Sequence, residues 1–215
     1  MTLLTRAPND PVVTRSLLER EQERQAIDAS LEALGGGRGG VLIVEGEAGI
    51  GKSTLARYVA DGSRQRGLQL FLARGGELEK DVPYGIAIEL FGPLIRDAGE
   101  GELFAGPASL TTGLFGLGPS ADGSPSQRAD PSALLHGLFW LVLNIAEDGP
   151  LVLVVDDAQW ADDPSLRLLL HLAQRIDELP ILLVFALRAT ANAEWARPIV
   201  ALRSVGSATH LLPAP

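Results

Sequence analysis

A chain of 215 residues is long enough for one sizeable α/β domain and short for two large ones, so a single domain spanning 1–215 is expected. Hydrophobic residues make up 46% and charged residues 21%, with a mean hydropathy of +0.17, which excludes a disordered chain and implies a packed core. A net charge of −9 excludes a broadly cationic, phosphate-gripping surface, so no direct contact of this chain with DNA is expected.

Cysteine is absent, which excludes disulfides and thiolate chemistry. His136, His171 and His210 are isolated and give no zinc spacing. Residues 1–11 lack a charged segment followed by an apolar one, and no apolar run reaches the length of a membrane span. A cytoplasmic protein with no membrane partner is the expectation.

In chain order, residues 17–34 carry Leu18, Ile27, Leu31 and Leu34 at helical spacing and stop at a run of three glycines. Residues 41–44 are a short, continuous, β-branched run, the pattern of a strand buried on both faces of a parallel sheet. Residues 68–73, 151–155 and 181–187 repeat it, and 209–212 form a shorter copy. Between them, 53–66 reads as a helix ending at Gly67, and Leu134, Leu138, Leu141 and Ile145 mark the buried stripe of another. Asp163 and Pro164 read as an N-cap and first helical residue, opening a helix through Leu166, Leu170, Ala173 and Ile176. Alternating strands and helices imply a doubly wound parallel sheet, with ligands at the carboxyl ends of the strands. Residues 99–131 break the rhythm with Gly, Pro, Ser and Asp, and are expected to be a flexible insertion in which Leu114, Phe115 and Leu117 dock on the body.

The segment Gly46, Glu47, Ala48, Gly49, Ile50, Gly51, Lys52, Ser53 satisfies the full G-x-x-x-x-G-K-[ST] pattern between a strand and a helix, and Thr54 follows it. Its glycines let backbone N–H groups turn inward around phosphates, and the helix adds its positive end. Lys52 is expected on the β- and γ-phosphates of ATP or ADP, and Ser53 on Mg²⁺. A plain Gly-rich linker is the alternative. The run at 151–155 ends in Asp156 and Asp157, the form of a Walker B segment. Asp156, the first acid after the strand, is the expected second metal ligand. Asp157 is then free to orient or deprotonate the attacking water, or only caps the following turn. Arg188 ends the run at 181–187, where it is placed to sense the γ-phosphate. Trp160 and Asp162 follow the acids closely, and Trp160 reads as packing.

These residues resemble the ATPase domain of STAND-type, AAA-like signalling NTPases, above all the large ATP-binding regulators of the LuxR family. The match includes residues 18–23, similar to an entry motif of the form hydrophobic-Gly-Arg-x-x-Glu, with Arg20 and Glu23 matching and Glu19 in place of the glycine. It includes residues 82–85 with 89–94, and residues 156–162 around the paired acids. The resemblance implies a three-layer αβα P-loop NTPase of the ASCE/STAND type, with about five strands in the order 5-1-4-3-2. It also implies a nucleotide contact by Arg20, a sensor role for Arg188, and self-association on ATP binding. Members continue into a winged-helix lid, a sensor region and a helix-turn-helix that binds DNA, so the chain is expected to be the N-terminal fragment of a longer regulator. The function implied is a nucleotide switch with slow ATP hydrolysis. The alternatives are a binding-only ATP module and a P-loop small-molecule kinase.

Overall fold

The structure, a computed structural model, describes residues 20–99, 101–117, 130–189, 197–206 and 208–213. The five apolar runs form strands β1 (Gly40–Gly46), β2 (Gln69–Arg74), β3 (Leu151–Asp156), β4 (Ile181–Arg188) and β5 (Ala208–Leu211). All pair in parallel in the order β2-β3-β4-β1-β5, the expected 5-1-4-3-2 arrangement read from its other edge. Strand β4 therefore separates β1 from β3.

The helices are α1 (Glu21–Gly35), α2 (Lys52–Gln65), α3 (Gly85–Ala98), α4 (Pro131–Glu147), α5 (Asp163–Ala173) and α6 (Arg197–Arg203). Successive strand side chains alternate faces, and that alternation builds two cores. Leu42, Val44, Val152, Val154, Leu182 and Val184 pack with Ile27, Leu31, Leu34, Leu55 and Val59 of α1 and α2. Val41, Ile43, Leu153, Val155, Leu183 and Phe185 face the other way, onto α3 to α6. Each such side chain stabilises the fold by about 1.5–3 kcal/mol when fully buried, which is why both faces of the central strands are apolar.

Three helix boundaries differ from the sequence reading, the first being that α5 ends at Ala173, with Ile176 in a separate 3₁₀ turn, Ile176–Glu178. Asp162, not Asp163, caps α5: its side chain accepts from the Ser165 backbone N–H at 2.9 Å, and Asp163 is the first helical residue. Helix α1 begins at Glu21 with Arg20 as its N-cap residue, and Leu18 lies outside the described residues.

Of the expected insertion, the 3₁₀ segments Glu102–Phe104 and Gly106–Phe115 lie on α4. Asn144 donates to the carbonyls of Leu103 and Ala105, at 2.9 and 3.2 Å, and Phe104 is buried with its ring 6.1 Å from that of Phe115. A Cβ on Gly137 would stand 2.7 Å from Thr111 Cγ2, so the segment needs that glycine to seat. Leu114, Phe115 and Leu117 pack against the core as expected, and residues 118–129 lie outside the described ones.

Candidate functional site

The strand register puts the candidate residues together at the carboxyl ends of the strands. Gly46 stands opposite Arg188, and Arg74 opposite Asp156. The phosphate-loop residues 46–51 leave β1 there. Gly49 (φ +81°) and Gly51 (φ +94°) take left-handed conformations that cost a side chain energy, and a Cβ on Gly46 would meet Ile50 Cγ2 at 2.8 Å. Helix α2 opens at Lys52 after Gly51, with no side-chain cap and no acidic residue in its first turn. Its positive end is thereby left to an anion. The Thr54 N–H donates to the Gly51 carbonyl at 3.0 Å, within that first turn.

Lys52 is buried, and its ammonium donates to the carbonyls of Gly46 (2.9 Å) and Glu47 (2.7 Å), across the mouth of the loop. Burial lowers its pKa below that of an ordinary lysine, against the pull of the Asp157 and Asp156 carboxylates. Phosphate oxygens would satisfy the same donors and add charge.

Ser53 Oγ donates to Asp156 Oδ2 at 2.8 Å, bringing the two expected metal ligands together across 103 residues of chain. Two hard oxygens in contact suit Mg²⁺, which takes few protein ligands and completes its shell with phosphate and water. Among the described residues no cluster of three or more His, Cys, Asp or Glu could hold a metal on its own.

Asp157 lies beside Asp156 and is held by several partners. It sits in the left-handed region (φ +49°), its N–H donating to Asp156 Oδ1 at 3.0 Å. Its carboxylate accepts from Gln159 Nε2 (3.0 Å) and from Arg74 Nε and Nη2 (3.2 and 2.9 Å), and Arg188 Nε lies 3.7 Å away. Burial pushes this carboxyl's pKa up, but the bonds from Gln159 and Arg74 and the charge of both arginines outweigh it and hold it below the ordinary aspartate value. Gln159 also accepts from the Arg188 backbone N–H at 3.2 Å, tying the loop after β3 to the end of β4.

One site residue, Arg74, escaped the sequence reading, and the structure adds partners for Asp162, Glu89 and Arg20. Arg74 ends β2 as Arg188 ends β4, a cation after an apolar run, and the same signal could have found it. Asp162 is a buried carboxylate, 3% exposed, whose Oδ1 accepts from Tyr84 N (2.8 Å) and Ser165 N, while Oδ2 accepts from Ile86 N (3.1 Å). It pins the entry to α3, where Tyr84 is left-handed (φ +62°), against α5. Glu89 Oε2 accepts from the Arg74 N–H at 3.2 Å, and burial raises the pKa of its carboxyl. Arg20 donates from Nη2 to the carbonyl of Ile50, inside the phosphate loop.

A parallel αβα sheet with this loop at its carboxyl edge defines a P-loop NTPase fold. The AAA ATPase domain family matches residues 16–184, and the chain belongs to it. It is 31% identical to an uncharacterised protein of Rhizobium meliloti (strain 1021), over 83% of this chain and 19% of that protein. Among solved structures it is similar to the Aeropyrum pernix Orc1 protein in complex with DNA, with a TM-score of 0.52 and 16% identity over 91% of this chain and 45% of that one. It is also similar to a Pyrococcus horikoshii signal transduction ATPase with numerous domains and a tetratricopeptide repeat sensor, with a TM-score of 0.45 and 21% identity over 86% and 22%. The chain thus spans under a fifth of the Rhizobium protein, 19%, and under half of the Orc1 chain, 45%. Among the described residues no helix is long and apolar enough to cross a membrane.

Proposed function

We propose that this chain is the Mg-ATP-binding switch domain of a longer signalling regulator, of the LuxR type, and that it hydrolyses ATP slowly. One observation carries the reading: Ser53 Oγ and Asp156 Oδ2 meet at 2.8 Å directly beside a phosphate loop whose Lys52 spans its mouth. The N–H groups of residues 46–54 would cradle the phosphates, and Lys52 would exchange two carbonyls for β- and γ-phosphate oxygens. Ser53 and Asp156 would hold Mg²⁺, which when bound withdraws charge from the β–γ linkage. Asp157 is the proposed base for the attacking water, and Arg188 the cation for the γ-phosphate. The short share of the Rhizobium relative that the chain covers supports a place within a larger protein, where a lid and a DNA-binding region would lie. The experiment is a titration with ATP, ADP and GTP, with and without Mg²⁺. Binding of triphosphate that Mg²⁺ does not strengthen speaks against the reading.

A second reading, an ATP module with negligible hydrolysis, is favoured by the state of Asp157. A carboxylate held by two arginines and an amide is a weak base, because each of those contacts favours its charged form. Single-turnover phosphate release separates the two readings: release on the minute scale supports the switch, and none over hours supports the binding module.

A further inference from the structure

We propose that Arg20 is a positioning residue for the phosphate loop, acting through the backbone of Ile50 and Gly51, and that it does not read the nucleotide base. The proposal rests on the phosphate-binding reading of residues 46–54.

Arg20 precedes the first turn of α1, where its carbonyl accepts the Arg24 N–H at 3.1 Å. Helix α1 is fixed to α2 by Ile27, Leu31 and Leu34 packing among Leu55, Ala56 and Val59. A Cβ on Gly62 of α2 would stand 2.8 Å from Leu31 Cδ1, which shows how closely the two helices approach. The Arg20 side chain therefore starts from a rigid two-helix frame and reaches the loop that opens the second helix. Two of its contacts there bear on the loop. Nη2 donates to the Ile50 carbonyl, and the guanidinium lies against Gly51, its Nη2, Cζ and Nη1 atoms 3.4, 3.5 and 3.6 Å from where a Cβ on that residue would be.

The first contact sets the direction of a loop donor. In a trans peptide the carbonyl of one residue and the N–H of the next point to opposite sides of the chain. Holding the Ile50 carbonyl on Arg20 therefore turns the Gly51 N–H away from Arg20, and the charge-assisted character of the bond stiffens that plane. The second contact supports the left-handed turn at Gly51 (φ +94°), the step that delivers Lys52 and Ser53 to the start of α2. It also places a fixed positive charge beside the loop. All of these effects bear on phosphates, and none depends on the base.

The test measures the affinity of ATP, GTP and ribose 5′-triphosphate, which lacks a base, each with Mg²⁺, for the full chain with Arg20, with Arg20→Ala and with Arg20→Lys. Arg20→Ala is expected to weaken all three by the same factor, about tenfold for a lost charge-assisted bond, leaving the ATP-to-GTP ratio unchanged. Arg20→Lys, which keeps a cationic donor, is expected to recover part of that loss for all three ligands. A loss confined to ATP, a changed ATP-to-GTP ratio, or no loss at all overturns the proposal. If Arg20→Ala does not fold, Arg20→Gln, which keeps an N–H donor but no charge, is read in the same way. If the unaltered chain binds none of the three, the phosphate-loop reading itself fails, a result distinct from any change caused by Arg20.

Discussion

The guanidinium of Arg74 grips the carboxylate of Asp157 through both Nε and Nη2, at 3.2 and 2.9 Å, joining the end of β2 to the turn after β3. The Arg74 side chain is 64% exposed, so solvent screens the pair and its contribution to stability is about 0–1 kcal/mol. Its consequence is electrostatic: the bond keeps Asp157 ionised and occupied. Arg74→Ala is therefore expected to leave the melting temperature nearly unchanged and to raise single-turnover phosphate release several-fold. A large fall in release at unchanged ATP affinity would instead place Arg74 on the reacting phosphate.

The same environment gives a pH dependence. The folded carboxyl of Asp157 binds its proton less readily than an unfolded aspartate, whose pKa is about 3.9. Its contribution to stability is therefore complete above that value and is lost as pH falls through the depressed folded value. Asp157→Asn removes the titration. Melting temperatures followed from neutral pH into the acid range should fall more steeply for the unaltered chain than for Asp157→Asn. Parallel curves would mean that neither Gln159 nor the arginines hold this carboxyl ionised in solution.

The sheet was legible because its signal is redundant: three runs, 41–44, 151–155 and 181–187, are apolar on both faces, and the glycines of the phosphate loop sit directly after one of them. Helix α3 was harder, since Pro93 lies inside it and its start is a left-handed tyrosine rather than a capping side chain. Its cap comes instead from Asp162, 76 residues away from Ile86, and no local pattern carries such a bond. The pairing of Ser53 with Asp156 could be expected from the order of the strands. The occupation of Asp157 by Arg74 could not, because it depends on the register of β2 against β3, which a continuous apolar run leaves unspecified.

Lys52 and the two acids should separate by assay. Saturation with Mg-ATP at one hundred times the dissociation constant should stabilise the unaltered chain by about 2.7 kcal/mol and Lys52→Ala far less. Asp156→Asn should weaken the Mg²⁺ dependence of binding, since it alters the oxygen that accepts from Ser53. Asp157→Asn should retain binding and lower turnover. Normal Mg-ATP binding by Asp156→Asn together with its loss in Asp157→Asn would reverse the two roles.

Asp162 is a buried carboxylate that holds three backbone donors. Its two oxygens take the N–H groups of Tyr84, Ile86 and Ser165, all buried, so Asp162→Ala removes a helix cap and orphans two further donors. A lost cap costs about 1 kcal/mol and each orphaned buried donor about 1–3 kcal/mol, which sums to about 3–7 kcal/mol. For a chain of this length that lowers the melting temperature by about 6–28 °C. Asp162→Asn is the informative companion. Its remaining oxygen can serve Tyr84 and Ser165, as Oδ1 does now, but its amide then faces the Ile86 N–H donor to donor, and an intermediate loss is expected. The effect should reach the site as well. The chain between β2 and α3 runs against the Asp157 turn, with the Gly75 N–H on the Asp156 carbonyl at 2.9 Å and room for no side chain at Gly75, where a Cβ would stand 2.4 Å from the Asp157 carbonyl oxygen. Releasing α3 therefore loosens one wall of that turn, and phosphate release should change in Asp162→Asn at temperatures where the variant is fully folded. Thermal melts of both variants check the ordering, and equal stability of Asp162→Ala and the unaltered chain would show that these three bonds hold nothing together.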